Sequence, residues 1–325
     1  MKSYNWGVLA PGNIANNFAK GLKHAPGGVF NAVGSRDLGR AQKFAAEYGF
    51  AKAYGSYEEL AADKDLDIVY VSSQHPQHME HAMLCMKNKK SVLCEKPLAV
   101  NAAQAKKMTD CAKENGVFFM EAMWTRFLPS VVKVRELIGG GAIGAVKHIS
   151  ADFSFRSQID PEGRLFRPDA AGGSLLDVGV YNVSFCSMLY KKQPDRIQSH
   201  MNIGETDVDE LASALFSYGG GETAFVMSAI RLSTNQEAII YGEDGYIQIP
   251  SYWHGDTVIL SNSDGKKELK FPFEASGFQF EIIEAMRCLG AGLKESPVMP
   301  HAESLAVMET LDKIRAAHGL KYPFE

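Results

Sequence analysis

The sequence has no long hydrophobic run. None of its stretches reaches the roughly 18 consecutive apolar residues that a membrane-spanning helix needs. The N-terminal residues arrive at the polar Asn13 before a secretory-type apolar segment could form. These absences predict a cytoplasmic protein without a membrane partner.

The sequence also contains few cysteines and has no large excess of charge of one sign. Lysine and arginine number 34 against 38 aspartates and glutamates, which gives a net charge of −4, and no basic block stands out. This balance argues against a surface that binds polyanions, so no nucleic-acid partner is predicted. The five cysteines are odd in number and lie far apart in apolar sequence, which is typical of reduced core thiols: Cys85, Cys94, Cys111, Cys186 and Cys288.

What is present is the composition of a globular protein, with 46% apolar and 22% charged residues. A length of 325 residues, at about 150 per domain, predicts two domains. Up to Met123, strand-like segments alternate with helical patterns, which is typical of βαβ units and a parallel sheet. We predict an α/β fold whose first domain, residues 1–123, is a doubly wound sheet of the Rossmann type. Its strands are predicted at 6–10, 29–33, 67–71, 91–94 and 117–120.

Residues 124–325 show a different pattern. Strand-like segments follow one another, and glycine-rich turns such as Tyr218-Gly219-Gly220-Gly221 separate several of them. Consecutive strands joined in this way predict antiparallel hairpins, and hence a second domain of the α+β class. The strands are predicted at 146–155, 197–203, 211–218, 223–230, 237–241, 246–249 and 257–260, and two closing helices at 278–289 and 302–317.

The loop after the first strand resembles a dinucleotide-binding fingerprint. The pattern Gly-x-Gly-x-x-Gly permits a tight turn, close approach of backbone to pyrophosphate, and close packing of helix on strand. Here the positions read Ala10, Gly12 and Ala15, so only the middle glycine is kept. An ordinary turn is the alternative, but the loop opens the first helix, whose N-terminus can receive a phosphate. The predicted cofactor contacts are Ala10, Gly12, Asn13 and Ile14.

The end of the second strand indicates the choice of cofactor. An acid would be expected there for NAD, because a carboxylate accepts hydrogen bonds from the ribose hydroxyls. The residues present are Ser35 and Arg36, which suit a 2′-phosphate, so NADP is preferred over NAD. Alternatively, Arg36 is only a solvated residue near a helix start. Asp37 is well placed as the N-cap of that helix.

Two further segments carry candidate catalytic groups. Glu95-Lys96-Pro97 follows a buried strand at the carboxyl edge of the predicted sheet, where open α/β folds bind ligands. Asp177 and Tyr181 follow the turn Gly172-Gly173 and are four residues apart, on one helical face if the helix begins at Asp177. A surface lysine, a cap and a core tyrosine are the structural alternatives.

Together these motifs resemble the glucose-fructose oxidoreductase/inositol dehydrogenase (Gfo/Idh/MocA) family, within it the branch of dimeric dihydrodiol dehydrogenases and NADP-dependent aldose dehydrogenases. The resemblance covers nearly the whole chain. It implies a C-terminal domain with a large, mainly antiparallel open sheet, a homodimer or higher homo-oligomer, and catalysis by Lys96, Asp177 and Tyr181 on a sugar or vicinal diol. The motifs are Trp6-Gly7, Gly12-x-Ile14-Ala15, Glu95-Lys96-Pro97, Glu121-Ala122-x-Trp124-x-Arg126-Phe127-x-Pro129 and Gly172-Gly173-x-x-x-Asp177-x-Gly179-x-Tyr181.

The resemblance also implies that the loop after the fourth strand lies along the cofactor, where Gln74 stands in place of the usual proline. Its histidines at 75, 78 and 81 could suggest a metal site, but no second ligand cluster accompanies them, and no metal is predicted. Further cofactor contacts are expected from Ser73, Gln74, His75, His78, Glu95, Lys96, Trp124, Arg126 and Arg167. The substrate is expected to meet Lys96, Trp124, Phe153, Asp177, Tyr181 and Trp253.

The implied reaction needs a base that accepts a hydroxyl proton while hydride leaves the same carbon. Free tyrosine has a pKa of about 10, roughly 4 kcal/mol from use at neutral pH, and a lysine ammonium about 4 Å away supplies a similar magnitude. Lys96 is therefore expected to activate Tyr181, with Asp177 holding Lys96. The alternatives are a non-catalytic dinucleotide-binding sensor and a glycosidase that recycles bound NAD, both known in this family.

Overall fold

The computed structural model describes residues 2–325 and divides the chain into two compact units. One unit runs from the start of the chain to Trp124 and includes Glu274–Leu305. The other comprises Thr125–Phe273 and Ala306–Glu325. The division predicted from sequence had assigned residues 274–305 to the second domain, whereas in the structure they belong to the first.

The first unit, called the Rossmann unit below, contains a six-stranded parallel sheet in the order β3-β2-β1-β4-β5-β6. This order confirms the predicted doubly wound fold, with its topological switch point between β1 and β4. The strands are β1 (Tyr4–Leu9), β2 (Gly28–Gly34), β3 (Lys52–Tyr54), β4 (Ile68–Val71), β5 (Ser91–Glu95) and β6 (Phe119–Ala122). The helices are α1 (Asn13–Lys23), α2 (Leu38–Tyr48), α3 (Tyr57–Ala62), α4 (His78–Lys87) and α5 (Ala102–Asn115).

Side-chain caps set the starts of three of these helices. Asp37 accepts the backbone N–H of Arg40 at 3.1 Å, Ser56 that of Glu59 at 3.1 Å, and Asn101 that of Gln104 at 2.9 Å. Each bond satisfies an N–H that the helix itself leaves without a partner. The cap expected from the sequence at Asp37 is thereby confirmed.

The second unit, called the sheet unit below, contains an eight-stranded sheet in the order β14-β13-β12-β11-β7-β10-β9-β8. Its neighbours are antiparallel except for β7 and β10, which run parallel across the centre. The strands are β7 (Val146–Ser154), β8 (Arg196–Ile203), β9 (Asp209–Ser217), β10 (Thr223–Ala229), β11 (Ala238–Gly242), β12 (Gly245–Ile249), β13 (Thr257–Asn262) and β14 (Gly265–Lys270). Its helices are α6 (Pro129–Gly139) and α7 (Val180–Tyr190).

The last part of the chain forms α8 (Gln279–Gly290) and α9 (His301–Ala317). Helix α8 belongs to the Rossmann unit and packs on α1 at Gly21, where a Cβ atom would lie 2.8 Å from both the Gln279 backbone nitrogen and the Phe278 Cβ. Gly21 therefore allows α8, a segment distant in sequence, to pack closely against the Rossmann unit. None of the helices within residues 2–325 combines the length and the apolar character needed to cross a membrane.

Candidate active site

The Rossmann unit carries a groove of about 1310 Å³ at the carboxyl ends of β1, β2 and β4. This is the place where open α/β sheets bind ligands. Six of the predicted cofactor residues line the groove: Ala10, Gly12, Ser35, Arg36, Ser73 and Gln74. Asn13 and Ile14 begin α1 beside it, although they are not among the lining residues.

The fingerprint loop keeps its turn despite its missing glycines. Ala10 adopts a left-handed φ of 63°, and its small side chain limits the steric cost of that conformation. Gly12 is the N-cap of α1 and provides no side-chain cap, and a Cβ there would meet no atom nearer than the Ala10 carbonyl oxygen at 4.0 Å. The helix therefore presents open space and backbone N–H donors, which fit the pyrophosphate of a dinucleotide.

Two arginines line the part of the groove beyond β2. Arg36 follows the strand as predicted, and Arg40 lines the same groove from the first turn of α2. Arg40 is a second cation of the groove that the sequence did not indicate. One signal could have found Arg40: a cation in the first turn of a helix opposes the macrodipole, so it suggests a bound anion.

Of the histidines at 75, 78 and 81, His81 lines the groove, whereas His75 and His78, the two predicted cofactor contacts, do not. His78 is fully buried, and its ring nitrogens lie 2.9 Å from the Pro97 carbonyl oxygen and 3.0 Å from the Ser73 carbonyl oxygen. Burial lowers the pKa of His78 to about 4. The His78 ring thus links the loop after β4 to the segment after β5. It positions these two segments and does not contact the groove as predicted. His75 is also buried, at 6% exposure.

Glu95 and Lys96 end β5 in different environments. Glu95 is 4% exposed, accepts the hydroxyl of Tyr70, and with its second oxygen accepts the Lys96 backbone N–H at 3.2 Å. Lys96 is half-buried, and its bond to Pro97 is cis. The Glu95 side chain therefore orders the corner that carries Lys96, and it does not line the groove that the dinucleotide would fill.

A second carboxyl group lies close enough to interact with Glu95. Glu281 on α8 is fully buried, and neither of its oxygens has a hydrogen-bond partner within residues 2–325. Burial, reinforced by the negative charge of Glu95, raises the pKa of Glu281 well above its usual range. The protonated form of Glu281 is therefore favoured in the folded protein.

This protonation predicts how stability depends on pH. The unfolded chain releases the Glu281 proton near pH 4.5 whereas the folded chain releases it only at a higher pH, so stability falls as pH rises above 4.5. Glu281→Gln cannot ionise, so its melting temperature relative to that of the wild type should be higher at about pH 8 than at about pH 5. Thermal unfolding at both pH values measures this. The exposed helical control Glu114→Gln should show no such gain, and an equal response of both variants would contradict the account.

In the sheet unit, Asp177 and Tyr181 lie in consecutive turns of one helix. The helix starts with a π-helical turn at Leu175–Gly179 and continues as α7. The helix thus starts two residues before Asp177. π-helical turns are frequent at functional sites, where they re-aim side chains. Asp177 is 7% exposed and accepts a hydrogen bond from Arg164 at 3.0 Å, a partner that the sequence did not indicate.

Three of the predicted substrate residues meet in the sheet unit. The rings of Phe153 and Trp253 stack with centroids 4.5 Å apart, and Phe153 meets Tyr181 edge-on at 5.3 Å. The Trp253 indole N–H is held by the Gln236 side chain at 2.9 Å. The result is an aromatic wall of Phe153 and Trp253 next to the Tyr181 ring.

The remaining candidates are placed differently. Arg126 is 3% exposed and donates to the Ser184 hydroxyl at 2.9 Å and to its carbonyl at 2.8 Å, so its guanidinium anchors α7. Arg167 pairs with Asp169 in the sheet unit. Trp124 stacks on Phe278 with centroids 4.9 Å apart, within the Rossmann unit. No group of three potential metal ligands occurs within residues 2–325.

A Rossmann unit followed by a unit built on a large open sheet is the architecture of a family of dinucleotide-binding oxidoreductases. Residues 4–123 match the family described as "Oxidoreductase family, NAD-binding Rossmann fold", and residues 131–248 match the "GFO/IDH/MocA C-terminal domain". The chain belongs to the Gfo/Idh/MocA family.

Several known proteins are similar over their whole length. The trans-1,2-dihydrobenzene-1,2-diol dehydrogenase of Mus musculus is 39% identical over 329 residues, covering 98% of each chain, and that of Xenopus laevis is 37% identical, covering 98% of this chain and 99% of the relative. An aldose-aldose oxidoreductase from Caulobacter crescentus complexed with glycerol has a TM-score of 0.90 at 21% identity, covering 98% of this chain and 99% of its own. A 3-ketoreductase from Actinomadura kijaniata in complex with NADP and TDP-benzene has a TM-score of 0.86 at 22% identity, with 97% and 98% covered. At these identities the two structures show a shared fold.

Proposed function

We propose that this protein is an NADP-dependent dehydrogenase or reductase that acts on a hydroxyl or carbonyl carbon of a sugar, a polyol or a cyclic vicinal diol. The observation that carries the cofactor choice is the groove that runs from the uncapped start of α1 to Arg36 and Arg40. The diol dehydrogenases that are more than a third identical support the substrate class.

Different residues of the groove suit different parts of the dinucleotide. The backbone N–H groups at Gly12 suit the pyrophosphate, and Ser35, Arg36 and Arg40 suit a 2′-phosphate. When bound, the nicotinamide supplies the acceptor or donor of hydride. Everything else in the reaction falls to the side chains of the protein.

The proton is proposed to pass through the Tyr181 hydroxyl. The ammonium of Lys96 would favour the phenolate, since an opposite charge nearby stabilises the ionised form. Asp177 would hold Lys96 in place and keep it charged. Phe153 and Trp253 would cover the apolar face of a ring-shaped substrate, because stacked aromatic rings provide a flat apolar surface.

A substrate panel tests this proposal. Aldoses, inositols and dihydrodiols would each be incubated with NADP, and separately with NAD, while the near-ultraviolet absorbance of NADPH or NADH is followed. We expect turnover with at least one class and a higher kcat/KM with NADP than with NAD. Absence of turnover with every compound would favour the non-catalytic sensor.

A homo-oligomer is proposed as well, through the outer face of the eight-stranded sheet. Phe225 on β10 is 41% exposed and pairs in register with Leu215 on β9, itself 39% exposed. Exposed apolar rows of this kind are typical of interfaces. Light scattering should therefore give a mass above the 35.6 kDa of one chain.

A charge placed in this row should shift the oligomer toward single chains. Phe225→Glu is expected to lower the mass, because an interface would bury the carboxylate at a cost of several kcal/mol. Leu293→Glu, at an equally exposed leucine in the Rossmann unit, is the control and should leave the mass unchanged. A wild-type mass of 35.6 kDa would refute the oligomer itself.

A further inference from the structure

A buried carboxylate outside the predicted set of site residues holds the start of the helix that carries Asp177 and Tyr181. Asp209, the first residue of β9, is 0% exposed. Its Oδ2 accepts the backbone N–H of Leu175 at 2.6 Å and the Ser174 hydroxyl at 2.8 Å. Leu175 is the first residue of the π-helical turn, so Asp209 binds the end of the helix where N–H groups lack partners within the helix.

The adjacent glycine is fitted to this carboxylate. Gly173 has a φ of +104°, and a Cβ there would lie 2.1 Å from Asp209 Oδ1. No other residue type could hold this position with the carboxylate in place. The glycine pair noted in the sequence therefore makes room for Asp209 and lets it reach the helix start.

Strand β10 also contacts the start of this helix, at Ser174. The Ser174 hydroxyl lies 3.2 Å from the Ser228 carbonyl oxygen and 3.1 Å from the Ser228 hydroxyl on β10. The Ser228 side chain also borders Gly179, at the far end of the π-helical turn, where a Cβ would lie 2.9 Å from the Ser228 hydroxyl oxygen. Strands β9 and β10 thus both contact the start of the turn, β10 also borders its far end, and only the two bonds that Asp209 accepts are charge-assisted.

Asp209 can act in this way at neutral pH. Burial raises its pKa to about 6, while the bonds from Ser174 and Leu175 oppose that rise. The ionised form is therefore the main one at neutral pH, and a negative charge at a helix N-terminus is also favoured by the helix dipole.

We propose that Asp209 is a positioning residue for catalysis: by fixing the π-helical turn at Leu175 it sets the orientation of Asp177 and Tyr181. This inference rests on the proposed function, in which those two side chains act on the substrate. Displacement of a reacting group by about 1 Å can cost about a hundredfold in rate. Asparagine retains one acceptor, so we expect a smaller loss for Asp209→Asn.

The test compares Asp209→Asn with Asp207→Asn, an exposed aspartate in the loop just before β9. Asp209→Asn should lower kcat by about tenfold and leave the affinity for NADP unchanged, because the groove lies in the Rossmann unit. Hydrogen exchange at the Leu175 amide should become faster. Asp207→Asn should match wild type in all three measurements.

Exchange and turnover separate the possible failures. Unchanged Leu175 exchange in Asp209→Asn would overturn the structural part of the proposal, whether or not the enzyme is active. Faster exchange with unchanged kcat would overturn the positioning role alone. A wild-type protein without any NADP turnover would instead refute the proposed function, and the positioning role with it. If Asp209→Asn does not fold, Ser174→Ala, which removes one of the two bonds, should show the same pattern to a smaller degree.

Discussion

Tyr181→Phe is expected to lower kcat on the best substrate by a factor of about 10² to 10⁴. Phenylalanine keeps the ring and hence the edge-on contact with Phe153 at 5.3 Å, so the fold and the aromatic wall should persist. The change removes only the hydroxyl that is proposed to exchange the proton. Steady-state kinetics and a binding titration with NADP measure the two effects separately, and the NADP affinity should be unchanged.

Lys96→Ala should be about as damaging as Tyr181→Phe, because without the ammonium the phenol returns toward its ordinary, weakly acidic state. If the two groups serve one proton transfer, the double variant should be little worse than either single variant. A Tyr181→Phe enzyme that keeps more than about a tenth of wild-type kcat would contradict the assignment. His78 cannot then replace Tyr181, since it is fully buried with carbonyl oxygens at both ring nitrogens, which leaves Lys96 as the next candidate.

The second large effect is expected at the two arginines of the groove. Arg36→Ala should weaken NADP far more than NAD, because the lost charge-assisted bond to a 2′-phosphate is worth roughly 1.5 to 3 kcal/mol, or about tenfold or more in the preference ratio. Arg40→Ala should act in the same direction. The double variant should lose about a hundredfold of the ratio if the two contacts are independent.

The measurement is kcat/KM for NADP and for NAD in each variant. Arg196→Ala, an exposed arginine on β8 outside the groove, serves as the control and should leave the ratio as it is in wild type. An unchanged ratio in the Arg36/Arg40 double variant would refute the assignment of this end of the groove to a phosphate.

Features that depend on residues close together in the chain could be predicted from the sequence. Asp37, Ser56 and Asn101 cap helices because each bonds an N–H three residues away, and such short spacings are visible in a sequence. The parallel sheet followed from the alternation of strands and helices. Three of the aromatic candidates, Phe153, Tyr181 and Trp253, also came together.

Features that depend on distant pairing were not predicted. Strand β3 has only three residues, and β14 reads as the polar stretch Gly265–Lys270, so neither shows a strand pattern of its own. The parallel pairing of β7 with β10 joins segments that no turn connects. Asp209 bonds an N–H that lies 34 residues earlier in the chain, and no spacing rule indicates such a partner.

The central claim is that a hydrogen passes directly between the carbon of a substrate hydroxyl and NADP. The most direct measurement uses a substrate from the panel that carries deuterium on the carbon to be oxidised, with mass spectrometry of the reduced cofactor. Deuterium in the NADPH formed, one atom for each substrate oxidised, is the predicted result. Product formed without deuterium in free NADPH would contradict the claim, and would favour the glycosidase that oxidises and re-reduces its substrate on a permanently bound NAD.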